Sequence, residues 1–303
     1  MTINDIVTEL SKLDLSTYPY YQIRELICNI EKIGVLVYKV KKGTYITRAR
    51  SGSGFENKAD LSYKPQSLNK TFQRASTPNQ TMFYGTLIHD KQDFIDSRGL
   101  AISECSQLFR GGKESSGIEK ITFGRWVSIK DFELISIIPL IEFINIDNNP
   151  LLVELRNIYN RFTENDKFDQ DNYLKIINFF SKEFCKTKIK GDFDYMISAV
   201  FSEVVTRNLG YDGVLYPSVQ MGGQLGFNFS LKPESVDKCL ELDIIVESSY
   251  YKNRDHGICI DENAFQWNTF MNRFTPRRLK TVPYNIIAEK IKLENLDILK
   301  KIN

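Results

Sequence analysis

Three separated segments of this 303-residue chain hold side chains able to act on one substrate. The first is Tyr45-Ile46-Thr47-Arg48-Ala49-Arg50, continued after a loop by Phe72-Gln73-Arg74-Ala75-Ser76-Thr77 and Thr81-Met82-Phe83-Tyr84-Gly85. The second is Gly99-Leu100-Ala101-Ile102-Ser103-Glu104. The third is Gly210-Tyr211-Asp212-Gly213-Val214-Leu215-Tyr216-Pro217-Ser218, with Gly222-Gly223 and Gly226-Phe227-Asn228 just beyond. Guanidinium groups such as Arg48 and Arg74 suit bidentate contact with phosphate oxygens. A carboxylate beside a sugar, here Glu104, stabilises the positive charge that grows as a glycosidic bond breaks. Tyr84 offers an aromatic face or a hydroxyl, Ser218 a hydrogen bond to a ribose or phosphate oxygen, and Gly222 and Gly223 close approach of backbone to ligand. Each residue alone has a plainer reading: Glu104 on the face of a surface helix, Arg48 on an exposed strand, Tyr84 in the core, Ser218 in a turn. Glu104 nevertheless falls among Leu100, Ala101, Cys105 and Leu108, on or near the expected buried face, where a carboxylate needs a reason.

Taken in order, these segments resemble the RES-domain family, named for an Arg, a Glu and a Ser. Arg48 matches that family's early strand arginine, Arg74 its loop arginine, Tyr84 the strand tyrosine and Glu104 the Ala-x-x-Glu helix. Ser218 and Asn228 match the Gly-x-Asp-Gly-hydrophobic-Tyr-x-Ser strand and the asparagine that follows it. The likeness runs from about residue 44 to 235. It departs at Gln73-Arg74-Ala75-Ser76, where the family carries a Gly-Arg-Phe-Asn-like loop, and in the extra helices near 148–187.

The resemblance implies an α+β fold similar to ADP-ribosyltransferases: a mixed-sheet core with flanking helices and a helical insertion. It implies NAD+ as substrate, no separate cofactor, and cleavage of the nicotinamide–ribose bond. Glu104, Arg48 and Tyr84 would then be catalytic, and Arg74, Ser218, Asn228, Gly222 and Gly223 would bind substrate. Water as acceptor makes the chain an NAD+ glycohydrolase; phosphate or a protein makes it a phosphorylase or a mono-ADP-ribosyltransferase. Such an activity suits a toxin or defence effector, restrained by an antitoxin or regulatory protein, by self-assembly, or by its own terminal segments. A non-catalytic nucleotide-binding module predicts loss of the glutamate or arginine, and both are kept.

Composition narrows the alternatives. With 42% hydrophobic and 26% charged residues the chain reads as an ordinary soluble globular protein with a substantial core. A balance of 40 Lys and Arg against 38 Asp and Glu lacks the basic field of a nucleic-acid binder. Five scattered cysteines and two histidines, His89 and His256, offer no zinc spacing and no histidine-based triad, and suit a reducing, cytoplasmic setting. Both histidines sit in polar, turn-like surroundings expected at the surface. Arg110-Gly111-Gly112-Lys113 lacks P-loop spacing and reads as a turn. The apolar stretch Leu134–Ile141 contains Pro139 and falls short of a membrane span. Met1–Lys12 carries Asp5 and Glu9 and lacks a signal-peptide core.

The elements that must position the site follow from periodicity. Ile23, Leu26, Ile27 and Ile30 predict a helix from Pro19 to a stop at Gly34. Val35–Val40 and Thr44–Arg50 read as strands around a turn, and 51–80 as a long ordered loop. Strands are expected at Thr81–Ile88, Arg125–Ile129, Phe132–Ile138, Gly213–Tyr216 and Gly226–Leu231. Helices are expected at Ser97–Phe109, twice within Asn148–Cys185 (one stripe including Leu151, Leu155, Ile158 and Tyr159), at Tyr195–Asn208 and at Asn285–Lys301. The organisation expected is an N-terminal extension over 1–43, a catalytic domain over 44–235, and a C-terminal extension over 236–303 packed on it.

Overall fold

The computed structural model describes residues 1–30, 35–87, 94–139, 149–163, 170–220, 226–254 and 256–279. The expected Asn285–Lys301 helix and His89 lie outside them. Two amphipathic helices open the chain. Helix α1 (Ile3–Lys12) starts in a Thr2–Asp5 capping box, and α2 (Tyr20–Cys28) buries Ile23, Leu26 and Ile27. The second stops at Cys28, ahead of the expected Gly34, with Asn29 as its C-cap. Strands β1 (Leu36–Val40) and β2 (Tyr45–Ser51) follow, then a loop that turns twice before β3 (Phe83–Leu87). Asn69, 1% exposed, staples that loop by donating Nδ2 to the carbonyls of Thr77 and Gln80.

Helix α3 (Phe94–Cys105) and the short α4 (Gln107–Arg110) divide the single helix expected at Ser97–Phe109. Ser106 makes the break by capping the second helix, accepting from Phe109 N at 2.9 Å. Strand β4 (Ser116–Ser128) begins well before the expected Arg125. Its first five residues, Ser116–Lys120, are exposed or half-buried and mostly polar, and Ile121, Thr122 and Phe123 are then all buried, so neither stretch shows the alternation that betrays a strand. Strand β5 (Phe132–Ser136) comes next, then α5 (Pro150–Thr163), α6 (Gln170–Phe184) and α7 (Met196–Glu203). Leu151, Leu155 and Tyr159 face the core as their spacing predicts, whereas Ile158 is at the surface. All eight residues of α7 are buried, and the helix runs into a π turn at Val204–Asn208. Strands β6 (Gly213–Pro217) and β7 (Phe227–Leu231) lead to α8 (Pro233–Cys239), β8 (Leu240–Asn253), β9 (His256–Asn268) and β10 (Arg273–Arg277).

Among the described residues the result is a mixed α+β molecule on a ten-stranded sheet, ordered β1-β5-β6-β7-β3-β2-β4-β8-β9-β10. Neighbours are antiparallel except β5 and β6, which run parallel. The segments at both ends are built into this sheet: β1 pairs with β5, and β8 pairs with β4 along its length. The main core joins α1, α2 and α5–α7 to the central strands. Its centre is aromatic, with Phe180 and Phe201 centroids 4.1 Å apart and Phe184 6.0 Å from Phe201. Burial of each such ring contributes about 1.5–3 kcal/mol. A smaller cluster of Ala101, Ile102, Ile121, Phe123 and Tyr250 seats α3 against β4 and β8.

One irregularity sets up the site. Strand β2 pairs with β4 over seven residues but with β3 only at Ile46↔Leu87 and Thr47↔Thr86. Beyond Thr47 the β2–β3 ladder ends, and a cleft opens between the strands.

Candidate active site

The cleft deepens into a cavity of about 450 Å³, within the range of small-ligand sites. Arg48, Arg74, Tyr84, Glu104 and Asn228, from separate parts of the chain, all line it. Ser218 is fully buried behind the wall and reaches the site through Glu104. Gly222 and Gly223 lie outside the described residues.

Glu104 stands in the last turn of α3, which β2 holds in place through a buried Thr47 Oγ1–Ser97 Oγ contact of 3.0 Å. Its neighbours Leu100, Ala101, Ile102 and Ser103 are buried, but Glu104 itself is exposed toward the cavity rather than lying on the helix's buried face. One carboxylate oxygen is committed. Oε1 accepts from Ser218 Oγ at 3.0 Å and from Asn228 Nδ2 at 2.7 Å. Among the described residues none donates to Oε2, which leaves that oxygen for a ligand. Ser218, expected to meet a phosphate or ribose oxygen, gives its hydroxyl proton to the carboxylate in this structure.

Arg48 lies where the ladder opens. Its Nη1 donates to the Tyr84 carbonyl at 2.5 Å, and the guanidinium carbon sits 4.9 Å from the Phe83 ring centroid. Its Nε is buried without a partner among the described residues. Burial, then the nearby Arg50, pulls the guanidinium down to about 10, so it stays cationic at neutral pH. A half-buried cation whose Nε is buried and unsatisfied, beside a cavity, suits an anion.

Arg74 enters the same cavity with its fork already engaged. Nη1 donates to the Phe184 carbonyl and Nη2 to the Lys186 carbonyl at 3.2 Å, with Tyr195 beneath at 5.2 Å. These carbonyls lie at the last residue of α6 and two residues beyond it, where a cation complements the helix dipole. Arg74, expected to bind phosphate, lines the cavity and also ties the loop to the helical insertion. Tyr84 is also engaged. Its hydroxyl accepts from Ala75 N at 3.2 Å and lies 2.7 Å from Ser76 Oγ, and burial pushes the phenol up to about 12. It is a protonated wall of the site that fastens the same loop.

The glycine-rich strand motif divides between scaffold and site. Gly210 has φ +83°, and a Cβ on Gly213 would meet the Ser230 carbonyl oxygen at 1.9 Å, so only glycine fits there. Asp212 accepts from Glu133 N at 2.8 Å and from Ser235 Oγ at 2.5 Å, joining the turn before β6 to β5 and α8. Tyr216, from the same motif, faces the cavity, and burial raises its phenol well above the ordinary range. Tyr216, Tyr195, Thr86 and Cys105 also line the site and were not singled out by sequence reasoning. Tyr216 alone carried a signal, its place inside the motif. The Cys105 thiol is pushed up to about 12, first by burial and then by Glu119, and is not a nucleophile at neutral pH.

Of the two histidines His256 is exposed at the start of β9. Among the described residues no three His, Cys, Asp or Glu side chains are placed to hold a metal ion, and no helix is long and apolar enough to cross a membrane. No protein-family model matches this chain, and no curated protein matches it.

Proposed function

We propose that this chain hydrolyses NAD+ at the nicotinamide–ribose bond. The observation that carries the reading is the half-committed carboxylate: Glu104 has Oε1 fixed by Ser218 and Asn228 and Oε2 open, in one cavity with the cationic Arg48. The convergence of Arg48, Tyr84, Glu104, Ser218 and Asn228 also supports the RES-like reading, and with it an ADP-ribosyltransferase-like arrangement of the sheet.

In this reading Arg48 takes the pyrophosphate and Glu104 faces the nicotinamide ribose. The C1′–N bond breaks and its electron pair passes to the pyridinium nitrogen, so nicotinamide leaves neutral and needs no general acid. Positive charge spreads over C1′ and the ring oxygen, where a fixed carboxylate stabilises it more than it stabilises the ground state. Water then adds at C1′ and releases a proton, giving ADP-ribose. A cytoplasmic NAD+-depleting effector, held in check by an antitoxin or regulatory partner, fits this chemistry.

The test is incubation with NAD+, with nicotinamide and ADP-ribose followed by chromatography and Glu104→Gln as control. Both products should form in equal amounts, with the variant slower by on the order of 10²- to 10³-fold. Nicotinamide without free ADP-ribose would replace water with phosphate or a protein acceptor. Near-normal turnover in the variant would refute the assignment.

A further inference from the structure

We propose that Thr86 is a positioning residue for Glu104, acting through the amide of Asn228; this rests on the glycohydrolase reading of the site. A carboxylate only accepts hydrogen bonds, so the Asn228 amide must turn its NH2 toward Glu104 Oε1, 2.7 Å away. Its other end is then an acceptor that needs a donor. Thr86 Oγ1 supplies one, donating to Asn228 Oδ1 at 2.9 Å.

The backbone makes this pairing obligatory. The β3–β7 register sets Thr86 directly opposite Asn228, and the β6–β7 register sets Tyr216 opposite it on the other side. Thr86 is 2% exposed and Asn228 4%, so solvent has little access to replace either bond. Without the hydroxyl, Oδ1 is a buried acceptor stripped of the donor that holds it. Rotating the amide moves that acceptor against Glu104 Oε1, where two acceptors repel. Either outcome loosens the carboxylate just where its second oxygen must meet the ribose. Ser218 holds the same oxygen at 3.0 Å but has no means of setting the amide's direction.

The experiment compares Thr86→Val, Thr86→Ala and Thr86→Ser with the wild-type chain by two readouts. The first is steady-state nicotinamide release from NAD+. The second, independent of turnover, is the 15N–1H resonance of the Asn228 side-chain amide, assigned by its loss in Asn228→Asp. Valine and alanine should lower kcat on the order of 10- to 100-fold. KM should stay within about twofold, because the pyrophosphate contact is made elsewhere. Both variants should shift the amide resonance, and serine should restore both readouts. Melting curves identify a variant that fails to fold, and the other of the valine and alanine pair then decides. An unmoved resonance, or unchanged kcat in an active enzyme, overturns the proposal. A wild-type chain without NAD+ turnover refutes the functional reading instead, and the resonance still decides whether Thr86 orients the amide.

Discussion

Asn228 Nδ2 donates to Glu104 Oε1 across 2.7 Å, joining strand β7 to the last turn of helix α3. Asn228→Asp replaces that donor with a second carboxylate, and two carboxylates sharing a site raise the pKa of the pair. A folded-state pKa above the unfolded value gives stability that is present at low pH and lost as pH rises through the raised pKa. The variant should therefore melt close to wild type near pH 4 and below it at pH 8. Asn228→Ala should lose on the order of 1–3 kcal/mol without that pH trend. Melting curves across this range check it, and parallel profiles for the aspartate variant and wild type would exclude a charged contact.

Arg48 should act chiefly on binding. Its unpartnered Nε and half-buried position suit a ligand anion, so Arg48→Ala should raise KM roughly 10- to 100-fold, the worth of charge-assisted hydrogen bonds. Arg48→Lys should recover little, since a point charge does not replace a planar fork. Because its pKa is drawn down to about 10, affinity for NAD+ should stay flat below that pH and fall as pH rises past it. A lower kcat at saturation with KM unchanged would contradict the role.

Arg74 separates anchoring from substrate contact. The residue holds the carbonyls of Phe184 and Lys186, so Arg74→Ala should lower stability by on the order of 2 kcal/mol and expose the 69–80 loop to limited proteolysis. Saturating NAD+ should partly restore protection by mass action. Unchanged melting and proteolysis with a large rise in KM would return Arg74 to the phosphate clamp.

How far the sequence foretold this arrangement depends on how local each cause is. Helices α2, α5 and α6 were legible because their apolar residues recur at helical spacing over whole turns. Gly213 was legible as a motif residue, but its reason, the Ser230 carbonyl 1.9 Å from where a Cβ would sit, belongs to a neighbouring strand. Strand β8 was not foreseen: it buries Ser248 and Ser249 as well as Tyr250 and Tyr251, so polarity does not alternate along it. The site residues were found together because they occur in order, whereas their partners were hidden. Arg74 meets a carbonyl 110 residues away, a contact that no side-chain pattern encodes. Thr86 reads as an ordinary strand threonine until the β3–β7 register sets it opposite Asn228.

Glu203 should prove to be the point on which the N-terminal helices and the site loop jointly depend. The side chain is 7% exposed; it accepts from Tyr20 Oη at 2.7 Å and Thr77 Oγ1 at 2.8 Å, with Arg24 Nε 3.7 Å away. Glu203→Ala strands the Tyr20 and Thr77 hydroxyls, and each buried donor left without a partner costs about 1–3 kcal/mol. Glu203→Gln keeps an acceptor and should cost less. Burial first, and then this carboxylate, holds the Tyr20 phenol up at about 12, so stability is full below about pH 10 and falls as pH rises toward 12. In the alanine variant the phenol should titrate nearer its ordinary value, shrinking that alkaline loss. Thermal melts at neutral pH with an ultraviolet tyrosine titration measure both effects. An alanine variant as stable as wild type, with the same alkaline titration, would detach the loop from this anchor.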